Sequence, residues 1–204
     1  MGKRWTRPGP DVRRTQLLEA AIEAFGRKGY RGATTAEIAR AAGLSSRMVF
    51  FYFNSKKELY REVLRVCSQD LMQALARGMP PPDDMRTFFK MITRNFIVFL
   101  KENSLKVKLL LQNLDVIEDA DIREDLVRIV EGYHLYVFSF LEAARERKEI
   151  HEDVNIETAT LFILGLVFVI SYAELLELPW FGKDDQYTFT IGDYFIDAIT
   201  VRRG

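Results

Sequence analysis

Apolar residues recur at three- and four-residue intervals along almost the whole chain, and no stretch alternates as a strand closed by a hairpin turn would. The pattern predicts an all-α fold of about nine helices. The first runs from about Asp11 to Lys28, with Leu17, Leu18, Ala21, Ile22 and Phe25 on one face and Gly29 as a left-handed end. The second starts at Thr34, where Thr34-Thr35-Ala36-Glu37 has the form of a capping box, and reaches Ala42 before Gly43 breaks it. Ser45 is placed to cap a short third helix that ends near Tyr52, and Ser55-Lys56-Lys57-Glu58 is a second box that opens a long fourth helix. That helix carries Leu59, Val63, Cys67 and Leu71 on one line and fades before Gly78-Met79-Pro80-Pro81-Pro82.

Met85, Phe88, Phe89, Ile92, Phe96 and Phe99 form the apolar stripe of a fifth helix, and Lys106 to Leu114 reads as a shorter sixth. A seventh spans about Asp121 to Arg147; its middle, Tyr133 to Leu141, is apolar on nearly all sides, which predicts burial from several directions. The eighth runs from about Asn155 to Glu177, followed by a turn from Leu178 to Asp185 and a last helix from about Thr188 to Arg202. Within the eighth, the run Leu161 to Ala173 falls short of the roughly 20 residues that a membrane span needs. Flanked by Glu157 and Glu174, it fits a core or interface helix in a protein without membrane contact, with Gly165 permitting close helix approach.

Charge sharpens this picture. The chain has 29 Lys and Arg against 29 Asp and Glu, but residues 1–60 hold 12 basic and 5 acidic groups, a net of +7, and the remainder is equally negative. The front end is therefore the anion-binding end, suited to a phosphate backbone through counterion release. The opening MGKRWTRPGP is basic and is followed by no apolar signal core, so a cytoplasmic protein is expected. One cysteine, Cys67, sits in an apolar stripe and reads as a buried thiol. With two distant histidines, His134 and His151, it assembles neither a zinc site nor a catalytic group, so no metal, cofactor or enzyme activity is expected. The Gly26, Gly29 and Gly32 spacing follows no strand and reads as helix-end punctuation rather than a nucleotide loop.

Thr34 to Ser45 has a short capped helix, small residues where two helices would touch, a glycine turn and a new cap, which is the grammar of a helix-turn-helix. A plain helical bundle uses the same local devices. From Thr15 to Leu64, however, the chain resembles the TetR family of transcription regulators. The carrying residues are Ala24-Phe25, Gly29-Tyr30, Thr34-Thr35, Glu37-Ile38-Ala39, Ala42-Gly43-Leu44-Ser45, Phe50, Tyr52-Phe53 and Lys56-Lys57-Glu58-Leu59. Beyond them the likeness is one of helix number and length.

The resemblance implies a DNA-binding domain over residues 1–58 and a ligand-binding and dimerisation domain over 59–204. It implies that Ser46 to Tyr52 enters the major groove, with Ser45, Ser46, Arg47, Met48, Phe51 and Tyr52 facing DNA and Thr34, Thr35 and Lys56 holding phosphates. Helix starts and a lysine beside one support the phosphate role physically. The arm with Lys3, Arg4 and Arg7 is either a minor-groove contact or a solvated tail. Arg47 stands where glycine is usual and Phe50 where tyrosine is common, so Phe50 lacks the phosphate-bonding hydroxyl, and Arg47 either reads a guanine or binds a phosphate.

The resemblance further implies a homodimer on operator DNA, released by a small molecule in a cavity that the fifth to eighth helices enclose. The body is rich in phenylalanine, which fits an apolar or amphipathic effector, and the candidate ligand contacts are Phe89, Ile92, Phe96, Leu110, His134, Phe138 and Phe168. His134 reads first as a satisfied core residue and only second as a group that orients a polar part of the ligand. Leu161, Gly165, Phe168, Tyr172, Ile191 and Phe195 are the candidate dimer contacts. Two other classes stay open: a DNA-bound nucleoid or cell-division factor acting through protein partners, and an all-helical enzyme.

Overall fold

The computed structural model describes residues 9–78, 84–178 and 186–201, and these form nine helices and no strand. They are α1 (Pro10–Gly32), α2 (Thr35–Ala41), α3 (Ser46–Phe53), α4 (Lys56–Ala76), α5 (Met85–Glu102), α6 (Ser104–Leu111), α7 (Ala120–Glu146), α8 (Ile156–Leu175) and α9 (Gln186–Ile199). One isolated bridge pairs Ile150 with Thr200. The basic arm with Lys3, Arg4 and Arg7, most of the expected proline break, the turn after Leu178 and the expected end at Arg202 lie outside the described residues.

Local chemistry explains most boundaries. Helical geometry in α1 breaks at Gly29, whose φ of 70° an L-residue adopts at a cost, and a last turn then carries the chain to Gly32. Gly26 departs from the punctuation reading. It lies inside the helix, where a Cβ would stand 3.1 Å from Leu105 Cδ2, so its smallness lets α6 approach α1. Thr34 Oγ1 accepts the Glu37 amide at 3.2 Å and Ser55 Oγ the Glu58 amide at 3.0 Å. Asp84 and Asn155 cap α5 and α8 in the same way. Ser45 does not: the Met48 amide bonds the Ser45 carbonyl at 2.9 Å, and the side chain makes no cap. Thr34→Ala is therefore expected to cost about 0.5–2 kcal/mol and Ser45→Ala under about 0.5 kcal/mol, read from the shift in urea midpoint.

Three apolar cores hold the helices together. The first joins Leu17, Phe25, Ile38, Val49, Leu59 and Leu64 and takes in Leu109, Val116 and Ile122, so α6 and the start of α7 pack directly on the front end. The second gathers Met85, Leu141, Ile156, Ile163 and Ile196 from α5, α7, α8 and α9, and the third Leu71, Phe96, Leu100, Val107 and Ile170 from α4, α5, α6 and α8. A buried polar link crosses the first core, where Tyr60 Oη donates to Asn113 Oδ1 at 2.8 Å while the Asn113 amide bonds the Leu109 carbonyl at 2.8 Å. Cys67 is buried, and burial pushes its thiol up to about 12.

Two expectations for the body need correction. The middle of α7 is not enclosed on all sides: Leu135 is 63 % exposed and Ser139 faces outward, because no other described helix covers that face. In α8 the helix is 20 residues long with mean hydropathy 2.0, so by length and composition it could cross a membrane, contrary to the estimate from its apolar run. It buries Ile163, Ile170 and Ala173 in the cores, while Leu161, Phe162, Phe168, Val169 and Tyr172 remain exposed.

Ion pairs tie α4 to its neighbours. Lys57 meets Asp121, Arg61 meets Asp125, and Arg14 meets Glu62, which also bonds Arg65 at 2.7 Å. The hydrogen bonds from Arg65 and Arg14 outweigh burial and hold the Glu62 carboxyl at about 2. A carboxyl lowered in the folded state stabilises it above the unfolded value and loses that contribution as pH falls toward the folded one. Between pH 5 and 3, Glu62→Gln is expected to lose about 1–2 kcal/mol less stability than the parent, allowing for the partial exposure of both arginines. Equal acid sensitivity of the two proteins in urea melts would remove Glu62 from this role.

Candidate nucleic-acid interface and effector cavity

The amphipathic pattern of α3 fixes what it shows to solvent. Val49 and Phe53 point into the first core and anchor the helix, which leaves Ser46, Arg47, Phe50 and Phe51 outward and Met48 and Tyr52 half-buried. Phe51 is 72 % exposed, with its ring edge-on to Tyr52 at 5.1 Å. The turn from α2 into α3 is set by Gly43, at φ 67°, and by the Leu44 amide bonded to the Ala39 carbonyl at 2.8 Å. Ser45 is exposed at this turn, Thr34 is exposed at the start of α2, and Thr35 is half-buried beside it.

Ion pairing separates the front-end cations that are engaged from those that are free. Arg14, Arg27, Lys28 and Lys57 pair with carboxylates, whereas Arg13, Arg40, Arg47 and Lys56 have no ion pair among the described residues. Lys56 stands over the Tyr30 ring at 4.6 Å and reaches the Arg31 carbonyl at 3.5 Å; burial lowers its pKa. To reach a phosphate it must leave that ring, a constraint the sequence did not reveal.

In the body, a cavity of about 380 Å³ lies among α4, α5, α6, α7, α8 and α9. Phe89, Ile92, Phe96, Leu110 and Phe168 line it together. His134 and Phe138 do not: the His134 ring stacks on Phe138 at 5.8 Å and its Nε2 meets Glu157 at 2.9 Å, on the side of α7 that faces α8. One step along a helix rotates a side chain by about 100°, so Tyr133, Tyr136 and Val137 take the places on the cavity wall. Their setting in the most apolar part of α7 was the available signal for them.

The candidate dimer residues fall into two groups. Leu161, Gly165, Phe168 and Tyr172 form an exposed strip on α8, and none of the described residues meets the Cβ position of Gly165 within 4 Å, so the close approach expected there does not occur among them. Ile191 and Phe195 of α9 are half-buried; Ile191 lines the cavity and the Phe195 ring stacks on Phe162 at 5.0 Å. Phe162, Val169 and Tyr194 extend the exposed apolar face beyond the residues picked from sequence.

A family described as bacterial regulatory proteins, tetR family, matches residues 17–63, which run from within α1 through α2 and α3 to the first turns of α4. The transcriptional activator FasR of Mycolicibacterium smegmatis is 34% identical over 151 residues, covering 71% of this chain and 68% of that protein.

The chain belongs to the TetR family.

It is accordingly a DNA-binding, helix-turn-helix transcription regulator. The transcriptional repressor KstR2 of Rhodococcus jostii is 26% identical over 171 residues, covering 79% of each. The TetR fold extends over the body as well: the fatty acid degradation regulator FadR of Bacillus halodurans superposes with a TM-score of 0.77 at 16% identity, over 94% of this chain and 96% of that one. A TetR-family regulator from Rhodococcus sp. gives a TM-score of 0.77 at 17% identity, over 94% of this chain and all of its own.

Proposed function

We propose that this TetR-family regulator binds a palindromic operator as a homodimer and is released from it by an apolar small molecule. The outward face of α3 carries the proposal: Arg47 is exposed and without an ion pair among the described residues, while Val49 and Phe53 anchor the helix in the core behind it. In this reading residues 1–58 form the reading head and 59–204 the sensing and dimerisation body, with α4 shared between their cores. Ser45, Ser46, Arg47, Met48, Phe51 and Tyr52 meet the groove, and Thr34, Thr35 and Lys56 meet phosphates. The exposed apolar strip of α8 with α9 packs against its copy in a second subunit.

Coupling follows from α6. Val107, Leu110 and Leu111 line the cavity, while Leu105 packs on Gly26 of α1 and Asn113, just past the helix, bonds Tyr60 of α4. An occupant that displaces α6 or α4 alters the spacing of the two recognition helices, and half-sites about 34 Å apart tolerate little change. A second reading, activation rather than repression, is favoured by the FasR likeness.

Selection of random double-stranded DNA on the purified protein near physiological salt tests the proposal. A recovered palindrome supports dimeric operator binding, and a promoter reporter carrying it separates repression from activation. Salt-sensitive binding with no motif overturns it in favour of a nonspecific or partner-dependent DNA-bound factor.

A further inference from the structure

Among the described residues, the cavity wall contains no Asp, Glu, Lys, Arg or His. Its polar side chains are Thr93, Tyr133, Tyr136 and Ser171. Two of these are already engaged: Tyr133 Oη donates to Ser68 Oγ at 3.1 Å, and Ser171 Oγ donates to the Val167 carbonyl at 2.7 Å. The hydroxyls of Thr93 on α5 and Tyr136 on α7, both on half-buried residues, make no hydrogen bond among the described residues and are not fully buried. The wall is built from helices, whose backbone groups bond one another and offer an occupant little. The nearest imidazole, His134, is turned away and held by Glu157.

We infer, building on the effector-cavity reading, that the effector is an uncharged compound whose single hydroxyl or carbonyl group is recognised by Thr93 and Tyr136. An ionised carboxylate or ammonium inside this wall would lose its hydration and gain no counter-charge, which is far costlier than burying apolar surface is favourable. A wholly apolar occupant would leave both hydroxyls without partners, and a neutral polar group matches them. Burial raises the Tyr136 phenol, which therefore stays protonated and able to donate at neutral pH. Free fatty acids and amines that place their charge within the cavity are thereby excluded.

The test uses the full chain and the neutral fluorophore N-phenylnaphthylamine as a cavity probe, displaced at neutral pH by naphthalene, β-naphthol, β-naphthoate or β-naphthylmethylammonium. β-Naphthol is expected to displace the probe at concentrations about three- to tenfold below naphthalene, the value of one net hydrogen bond. The two ions are expected to be at least about thirtyfold weaker than β-naphthol. In the Thr93→Val, Tyr136→Phe double variant the naphthol advantage should vanish while naphthalene binding stays unchanged, which also reports that the cavity is intact. An ion that matches β-naphthol on the parent protein, or an advantage that survives in the double variant, overturns the inference while leaving the cavity reading in place. Failure of the probe to bind at all removes the cavity reading, and the inference with it.

Discussion

Replacing Phe25 by alanine is expected to cost about 3–5 kcal/mol, a large share of the stability of a typical domain. The ring is 0 % exposed and lies edge-on to Tyr60 at 4.9 Å and roughly parallel to Tyr30 at 6.2 Å. Its truncation removes apolar burial and leaves a hole between α1 and α4, beside the Tyr60 hydroxyl that must still reach Asn113. Because α6 also bears on this core, the loss cannot be absorbed by movement of one helix alone. Urea unfolding with an unchanged slope and a midpoint lowered by that cost divided by the slope is the expected reading; a cost below about 1 kcal/mol would mean that the core closes over the gap.

Arg47→Ala is expected to weaken binding to the selected operator by about five- to 150-fold, corresponding to 1–3 kcal/mol for one bidentate guanine contact, with little loss on unrelated DNA. Arg47 is exposed on the outward face of α3 and has no ion pair among the described residues, so removing it costs the folded protein little. Discrimination should relax at one base pair in each half-site. A uniform loss on every sequence, with the salt slope reduced by about one, would assign Arg47 to a phosphate instead. Competition binding at two salt concentrations separates these outcomes.

The features legible in the sequence are those with local causes. Thr34 and Ser55 announce their caps because the partner amide is three residues away, and Gly29 and Gly43 announce their turns because only their own φ matters. Ser45 has the same signature and fails, since the Met48 amide is taken by the Ser45 carbonyl, a choice between two nearby acceptors that composition does not encode. The stripe of Phe89, Ile92 and Phe96 was readable as one face, and these residues do line one cavity. On α7 apolar residues surround the helix, so periodicity cannot fix its rotation; the pattern points to His134 and Phe138, whereas Tyr133, Tyr136 and Val137 line the cavity. Gly26 is illegible for a related reason: what it accommodates, Leu105, is distant in sequence and adjacent only after folding.

The chain has a single cysteine, and its position makes it a built-in stopwatch. Cys67 lies wholly inside the core formed around α4, with its thiol held protonated. A thiol reagent present in excess therefore cannot attack the closed protein, and each labelling event records an opening of α4. No label has to be engineered to follow that motion. Mass spectrometry of the modified fraction over time, with and without DNA, would give the opening free energy of the helix that joins the two halves of the molecule.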